Sequence, residues 1–186
     1  MISDPARVRK TIHRAAAHTR FLCALRPVRK PIPCILVSSQ PGEATVATHS
    51  FDDSNITWSR LGDLEYLHYS ILSVDESNRI AEVLFKFAAN EKIVLHRHKA
   101  HNNTFVVQGE HRLYKPDGSL KEVRRVGSMT CSAPDIEPHR EGGGDQDAIV
   151  MFSIRGDGVL YELMDDEQNQ IGTITFQDLV DLSSAA

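Results

Sequence analysis

The sequence predicts an all-β protein, a barrel or sandwich of many short strands closed by one short helix. Three observations lead there. Runs rich in β-branched and aromatic residues recur at near-regular intervals, bounded by Gly, Pro, Asn or Asp. Some of them, Ile80-Ala81-Glu82-Val83-Leu84-Phe85-Lys86-Phe87 above all, alternate apolar and polar residues in part, as a half-buried strand does. Only Phe176-Gln177-Asp178-Leu179-Val180-Asp181-Leu182, near the end, reads as a helix.

In chain order, strands are expected at Ile56-Thr57-Trp58, Tyr66 to Leu72 and Ile80 to Phe87. A turn at Asn90-Glu91 leads into Ile93-Val94-Leu95-His96-Arg97-His98. Thr104-Phe105-Val106-Val107-Gln108 follows and is closed by Gly109. Leu113-Tyr114 and Glu122-Val123 flank Lys115-Pro116-Asp117-Gly118, a hairpin-turn composition. Met129-Thr130-Cys131, Ala148 to Ser153 and Val159-Leu160-Tyr161 complete the set, and Glu141-Gly142-Gly143-Gly144-Asp145 reads as a flexible loop at the barrel mouth. No internal repeat is visible, so one barrel is expected.

A chain of 186 residues suits one domain with an extension. Residues 1–42 are that extension, with eight Lys/Arg and one acid, Asp4 (net +7), against 13 Lys/Arg and 24 Asp/Glu (net −11) in residues 43–186. Pro5 to His18 has the makings of a short basic helix with Asp4 as its N-cap, and four prolines then punctuate a non-helical stretch. The segment reads as a poorly ordered extension or a misassigned start. An organellar transit peptide is compatible with its charge and disfavoured by its low Ser content, and a barrel-pairing arm at Cys34-Ile35-Leu36-Val37 is a further option. No apolar run approaches the roughly 20 residues that cross a bilayer. Three cysteines without a CxxC point to a reducing compartment, the cytoplasm. The overall charge of −4 argues against nucleic acid as a partner.

The chemistry concentrates at His96-Arg97-His98. Side chains two apart on a strand leave the same face, and two imidazoles so held can bind one metal ion. His139 follows a turn-like stretch and can add a third nitrogen from a neighbouring strand. Arg97 alternates away from the pair. Among the other histidines, His101 is expected in solvent and His111 is expected to line or cover the barrel. Glu110 and Glu141 are either acids beside the ligands or, the commoner case, exposed carboxylates. Phe105 and Tyr114 are pocket-wall candidates, followed by Phe87 and Phe152.

These residues resemble the two sequence motifs of the cupin superfamily over roughly residues 55–165. The first runs HxH, three or four residues, Glu, six residues, Gly. Here it reads His96-x-His98, then Asn102 at the Glu position, then Gly109. The second runs Gly, five residues, Pro-x-Gly, two residues, His, three residues, Asn. Here it reads Gly127, six residues, Pro134, Ile136, His139 and Gly143. The resemblance implies a single cupin barrel (a double-stranded β-helix, or jelly roll) in residues 43–186, with its motif region at 90–143. Because Asn102 replaces the acid, it implies a neutral three-histidine site, His96, His98 and His139, with Asn102 hydrogen-bonding a ligand or shaping the turn. The flanking pattern, which includes Leu160-Tyr161-Glu162, looks most like acetylacetone-cleaving and dihydroxyacetophenone dioxygenases. The implied function is then an Fe(II) dioxygenase that cleaves a carbon–carbon bond of a small β-diketone or hydroxyketone, with dioxygen as co-substrate. The alternatives are an isomerase or hydrolase using Zn, Mn or Ni, and a non-catalytic metal-binding sensor or regulatory module. Cupins commonly pair edge strands between subunits, which implies a homo-oligomer.

Overall fold

The computed structural model describes residues 51–134 and 137–185. The basic helix and the arm expected within residues 1–42 lie outside the described residues. The strands are β1 (Ser59–Arg60), β2 (Leu67–Asp75), β3 (Ile80–Phe87), β4 (Leu95–His98), β5 (His101–Gln108) and β6 (Glu110–Tyr114). They continue with β7 (Leu120–Arg125), β8 (Met129–Ser132), β9 (Arg140–Gly143), β10 (Ala148–Arg155), β11 (Val159–Met164) and β12 (Gln170–Thr175). A single helix, α1 (Phe176–Ser184), ends the described chain.

One sheet runs β1-β2-β3-β10-β5-β8. Facing it are two smaller sheets, β12-β11-β4 and β7-β6-β9. Backbone bridges Lys92↔Gly142 and His96↔His139 join those two into one continuous wall. Every strand pairing is antiparallel. The result is a two-walled, all-β jelly roll, as expected, and its two inner faces make the core.

The pleat sorts side chains by parity. Ala81, Val83, Phe85 and Phe87 on β3, with Ala148, Val150, Phe152 and Ile154 on β10, are buried in one cluster. On β5 the inward set is Asn102, Thr104 and Val106, so Phe105 between them faces outward. The helix packs on this core through Phe176 and Leu179. It starts at a capping box, with the Asp178 backbone N–H donating to Thr175 Oγ1 (3.1 Å) and the Thr175 backbone N–H donating to Asp178 Oδ2 (2.6 Å). No helix among the described residues is long and apolar enough to cross a membrane.

Three local expectations change. Ile56-Thr57-Trp58 is not strand; pairing begins at Ser59, and the Trp58 indole N–H donates to Asp53 Oδ2 at 3.0 Å. Strand β12, unassigned from sequence, pairs with β11. The stretch Glu141-Gly142-Gly143-Gly144 is buried, and its first three residues belong to β9 rather than to a mobile loop. The glycines there serve close approach. A Cβ on Gly142 would lie 2.0 Å from the Glu91 carbonyl oxygen, and one on Gly143 would lie 2.6 Å from that of Ala88. The small residues let the chain at 88–92 press against β9, which seats Glu141 in the wall.

Candidate metal centre

Register and pleat assemble the site. Directly opposed residues of an antiparallel pair share a face. His98 opposes Tyr161 across β4 and β11, and His96 opposes Leu163. On its other side His96 is bridged to His139 by two backbone hydrogen bonds of 2.9 and 3.0 Å. Glu141 follows His139 by two residues and so points the same way. Across β6, Leu113 opposes Glu141, and His111 opposes Gly143. These side chains therefore occupy one patch on the inner face of the second wall, and His96, His98, His111, Leu113, His139, Glu141 and Tyr161 are all buried.

The side-chain donors converge. His96, His98, His139 and Glu141 each offer a ligand atom within 4.8 Å of the others. His96 Nε2 and His98 Nε2 are 3.1 Å apart. Glu141 Oε2 lies 3.7 Å from His96 Nε2, and Oε1 lies 3.9 Å from His98 Nε2 and 3.6 Å from His139 Nε2. Ligands at about 2.1 Å from one ion, separated by 90–109°, stand about 3.0–3.4 Å apart. The closest spacings, 3.1 to 3.9 Å, fall in or slightly beyond that range, and with all four ligand atoms within 4.8 Å of one another the group could hold one ion. His96 is also oriented for it. Its Nδ1 lies 3.0 Å from the Val94 carbonyl, which selects the tautomer that leaves Nε2 as the free donor.

Burial prepares these groups electrostatically. Desolvation pushes His96 down to about 4, with the nearby His139 adding to the effect and Glu141 opposing it. Desolvation also holds His98 well below its ordinary value. Both imidazoles are thus neutral near pH 7 and present lone pairs without first losing a proton. Burial pushes Glu141 upward, but its contacts with His111, His139 and His96 more than offset this and hold it well below the usual carboxylate range. Tyr161 is raised well above 10 by burial and by the Glu141 charge.

Two sequence expectations are corrected here. Glu141 is not an exposed carboxylate; it is 4% exposed and stands among the histidines. The donor set is therefore not neutral. An acid thus stands among the histidines on β9, whereas the sequence has Asn102 in place of one on β5. Asn102 itself is fully buried and committed elsewhere. Its Nδ2 donates to the Ala100 carbonyl (2.9 Å), and its Oδ1 accepts from the Tyr161 hydroxyl (2.9 Å). That last bond spans the two walls.

The wall candidates also sort differently. Phe105 is 39% exposed on the outer face, where β5 pairs it with Met129. Tyr114 lies beneath the Lys92 ammonium, 4.2 Å from the ring centroid, on the other face of β6. Phe87 and Phe152 do line the cavity, with Phe85. His101 is exposed, Arg97 turns outward to Glu162 (3.2 Å), and Glu110 binds Arg112 (2.9 Å) away from the site. His111 is fully buried, as a lining residue should be. Sequence reasoning missed Tyr161, although its place beside Leu160 in a strand run was visible.

A cavity of about 40 Å³ touches His96, Glu141 and Tyr161. The rest of its lining is apolar, with Phe85, Phe87 and Phe152 on one side. Leu61, Leu64, Ile93, Val94, Leu163 and Ile174 line both this cavity and an open groove of about 940 Å³ outside it. Those six side chains separate the buried donors from the surface.

Comparison with solved structures agrees with this architecture. An RmlC-like cupin protein from Ralstonia eutropha aligns with a TM-score of 0.58 at 18% identity, covering 74% of this chain and 85% of that one. An acetylacetone dioxygenase from Acinetobacter johnsonii aligns at 0.57 and 11% identity, covering 79% and 97%. A Ralstonia eutropha protein of unknown function with a cupin-like fold aligns at 0.58 and 15% identity, covering 73% and 82%. No protein-family model matches the chain, and no curated protein matches it.

Proposed function

We propose that this chain, which has the cupin fold, is a mononuclear metal-dependent enzyme. The finer reading is a non-haem Fe(II) dioxygenase that cleaves a carbon–carbon bond of a small β-diketone or hydroxyketone. The observation that carries it is the convergence of His96, His98, His139 and Glu141, two of which, His96 and Glu141, open on a small cavity with no Lys or Arg in its lining. A substrate carboxylate or phosphate would find no cation there. A neutral dicarbonyl or hydroxyketone would need none. The likeness in fold to an acetylacetone dioxygenase supports the same class, though fold alone hosts many activities.

Bound Fe(II) would supply Lewis acidity toward the two substrate oxygens and the electrons that activate dioxygen. The protein does the rest. His96 is fixed by Val94, and His139 is fixed by its backbone bridge to His96. The Tyr161 ring stands edge-on to His98 at 5.0 Å and is locked by Asn102. Phe85, Phe87 and Phe152 limit water, since about 40 Å³ holds about three molecules. Glu141 would give the four residues one negative charge, so a divalent ion held there would keep a net +1 that favours an anionic oxygen. Glu141 also favours a second reading, an isomerase or hydrolase using Zn, Mn or Ni, because a carboxylate near a metal-held substrate can act as a base.

The test is metal content of the full chain purified without chelator, followed by oxygen uptake of the Fe(II)-loaded protein with 2,4-pentanedione and with 2-hydroxyacetophenone. Uptake of one dioxygen per diketone consumed, lost in His139→Ala, is the expected result. Full iron occupancy without uptake overturns the dioxygenase reading. Stoichiometric Zn, Mn or Ni moves the function to the second reading.

A further inference from the structure

Glu141 has a fourth histidine neighbour that is not one of the four converging donors. His111 on β6 is completely buried, yet neither of its ring nitrogens makes a hydrogen bond. A buried imidazole without a partner is costly. Its Nε2 lies 3.5 Å from Glu141 Oε1, nearer to the carboxylate than the Nε2 of His96, His98 or His139. The ring is held at that spot by stacking on Phe87 (5.0 Å, 29°) and by the edge contact with Phe152 (6.2 Å, 73°). Its cross-strand partner is Gly143, which has no side chain to hold the imidazole away from Glu141.

We propose that His111 is a positioning residue whose Nε2–H holds the Glu141 carboxylate in place for the metal. This rests on the reading of His96, His98, His139 and Glu141 as a metal site. A glutamate has three rotatable bonds, and without an anchor its oxygens need not face the three histidines. Outer partners of this kind typically change metal affinity about 10–100-fold when removed.

The experiment titrates the full chain with Co(II) against a competing chelator. It compares wild type with His111→Phe, which keeps a flat ring but no N–H, and with His111→Gln, whose amide nitrogen reaches about as far as Nε2. The expected result is about a 10–100-fold weaker Co(II) affinity and an altered Co(II) absorption spectrum in His111→Phe. His111→Gln should restore both, and unfolding midpoints of the two metal-free variants should be similar. In a Glu141→Gln background, His111→Phe should have no further effect on affinity, which a merely structural role would not produce. Should His111→Phe fail to fold, His111→Met serves as the donor-free variant. Unchanged affinity in a folded donor-free variant overturns the role of His111 and leaves the metal site standing. Absence of Co(II) binding by wild type overturns both.

Discussion

Taking the metal-free protein from pH 7 to pH 4 forces protons onto imidazoles that burial keeps neutral, and His96 sets the scale. Its pKa falls from 6.5 to about 4. Between those values the unfolded chain binds a proton that the folded chain refuses. The stability tied to His96 is therefore complete above pH 6.5 and is lost as the pH falls toward 4. At about 1.4 kcal/mol per pH unit this amounts to about 3 kcal/mol. His98 is shifted in the same direction by burial and adds to the loss. Glu141 is held below its ordinary 4.5, so its contribution is present above that value and is lost as the pH falls below it. The assay is urea unfolding at pH 7, 6, 5 and 4 in the presence of a chelator, for wild type and His96→Gln. Wild type should lose about 3 kcal/mol more than the variant across this range. A difference below about 1 kcal/mol would show that His96 takes a proton freely when folded, and the buried neutral donor set would be wrong.

Other outcomes follow from single contacts. Phe152→Ala removes a ring that is 1% exposed and packed on Phe85, Phe87 and His98; denaturation should show a loss of about 3–5 kcal/mol. Gly142→Ala places a Cβ 2.0 Å from the Glu91 carbonyl. It should cost about 1–3 kcal/mol and displace Glu141, weakening Co(II) binding in a chelator-competition titration. Tyr161→Phe and Asn102→Ala each break the buried bond between the walls. Each should cost about 1–3 kcal/mol in unfolding experiments, and the double variant less than the sum, as in a double-mutant cycle.

The histidine ligand candidates were legible because both of their determinants are local. His96 and His98 share a face by the two-residue period, and His139 follows a turn-like stretch after which a neighbouring strand could bring it in. The strand at Ile80–Phe87 was legible for the same reason, since its alternation matches one buried and one half-covered face. Glu141 was legible as a candidate acid beside the ligands, but not as a buried member of the histidine group. The glycines after it give a loop composition, and their true reason, the approach of residues 88–92, is a tertiary contact. Yet its position two residues after His139 was a usable signal. Phe105 was misplaced because aromatic character says nothing about face, whereas the burial of Asn102, Thr104 and Val106 fixes its parity. Asn102 marks the lost acid correctly, but its bond to Tyr161 joins residues 59 apart in the chain and leaves no local trace.

That separation bears on the order of assembly. Tyr161 meets Asn102 across 59 residues, and Arg97 meets Glu162 across 65. Contacts of such sequence distance form late, after the entropy of closing long loops has been met, and slow the folding of β-rich chains. In the nascent barrel the four residues fall into two local pairs, His96 with His98 and His139 with Glu141, so an ion arriving early would find two ligands at most at either place. The four residues come together once β4 lies beside the His139–Glu141 segment that leads into β9, through the His96↔His139 bridge. An ion that clasps these strands together would therefore act on the rate of coming apart far more than on the rate of folding. Metal loading would then register as persistence of the native state, in its lifetime against proteolysis or denaturant.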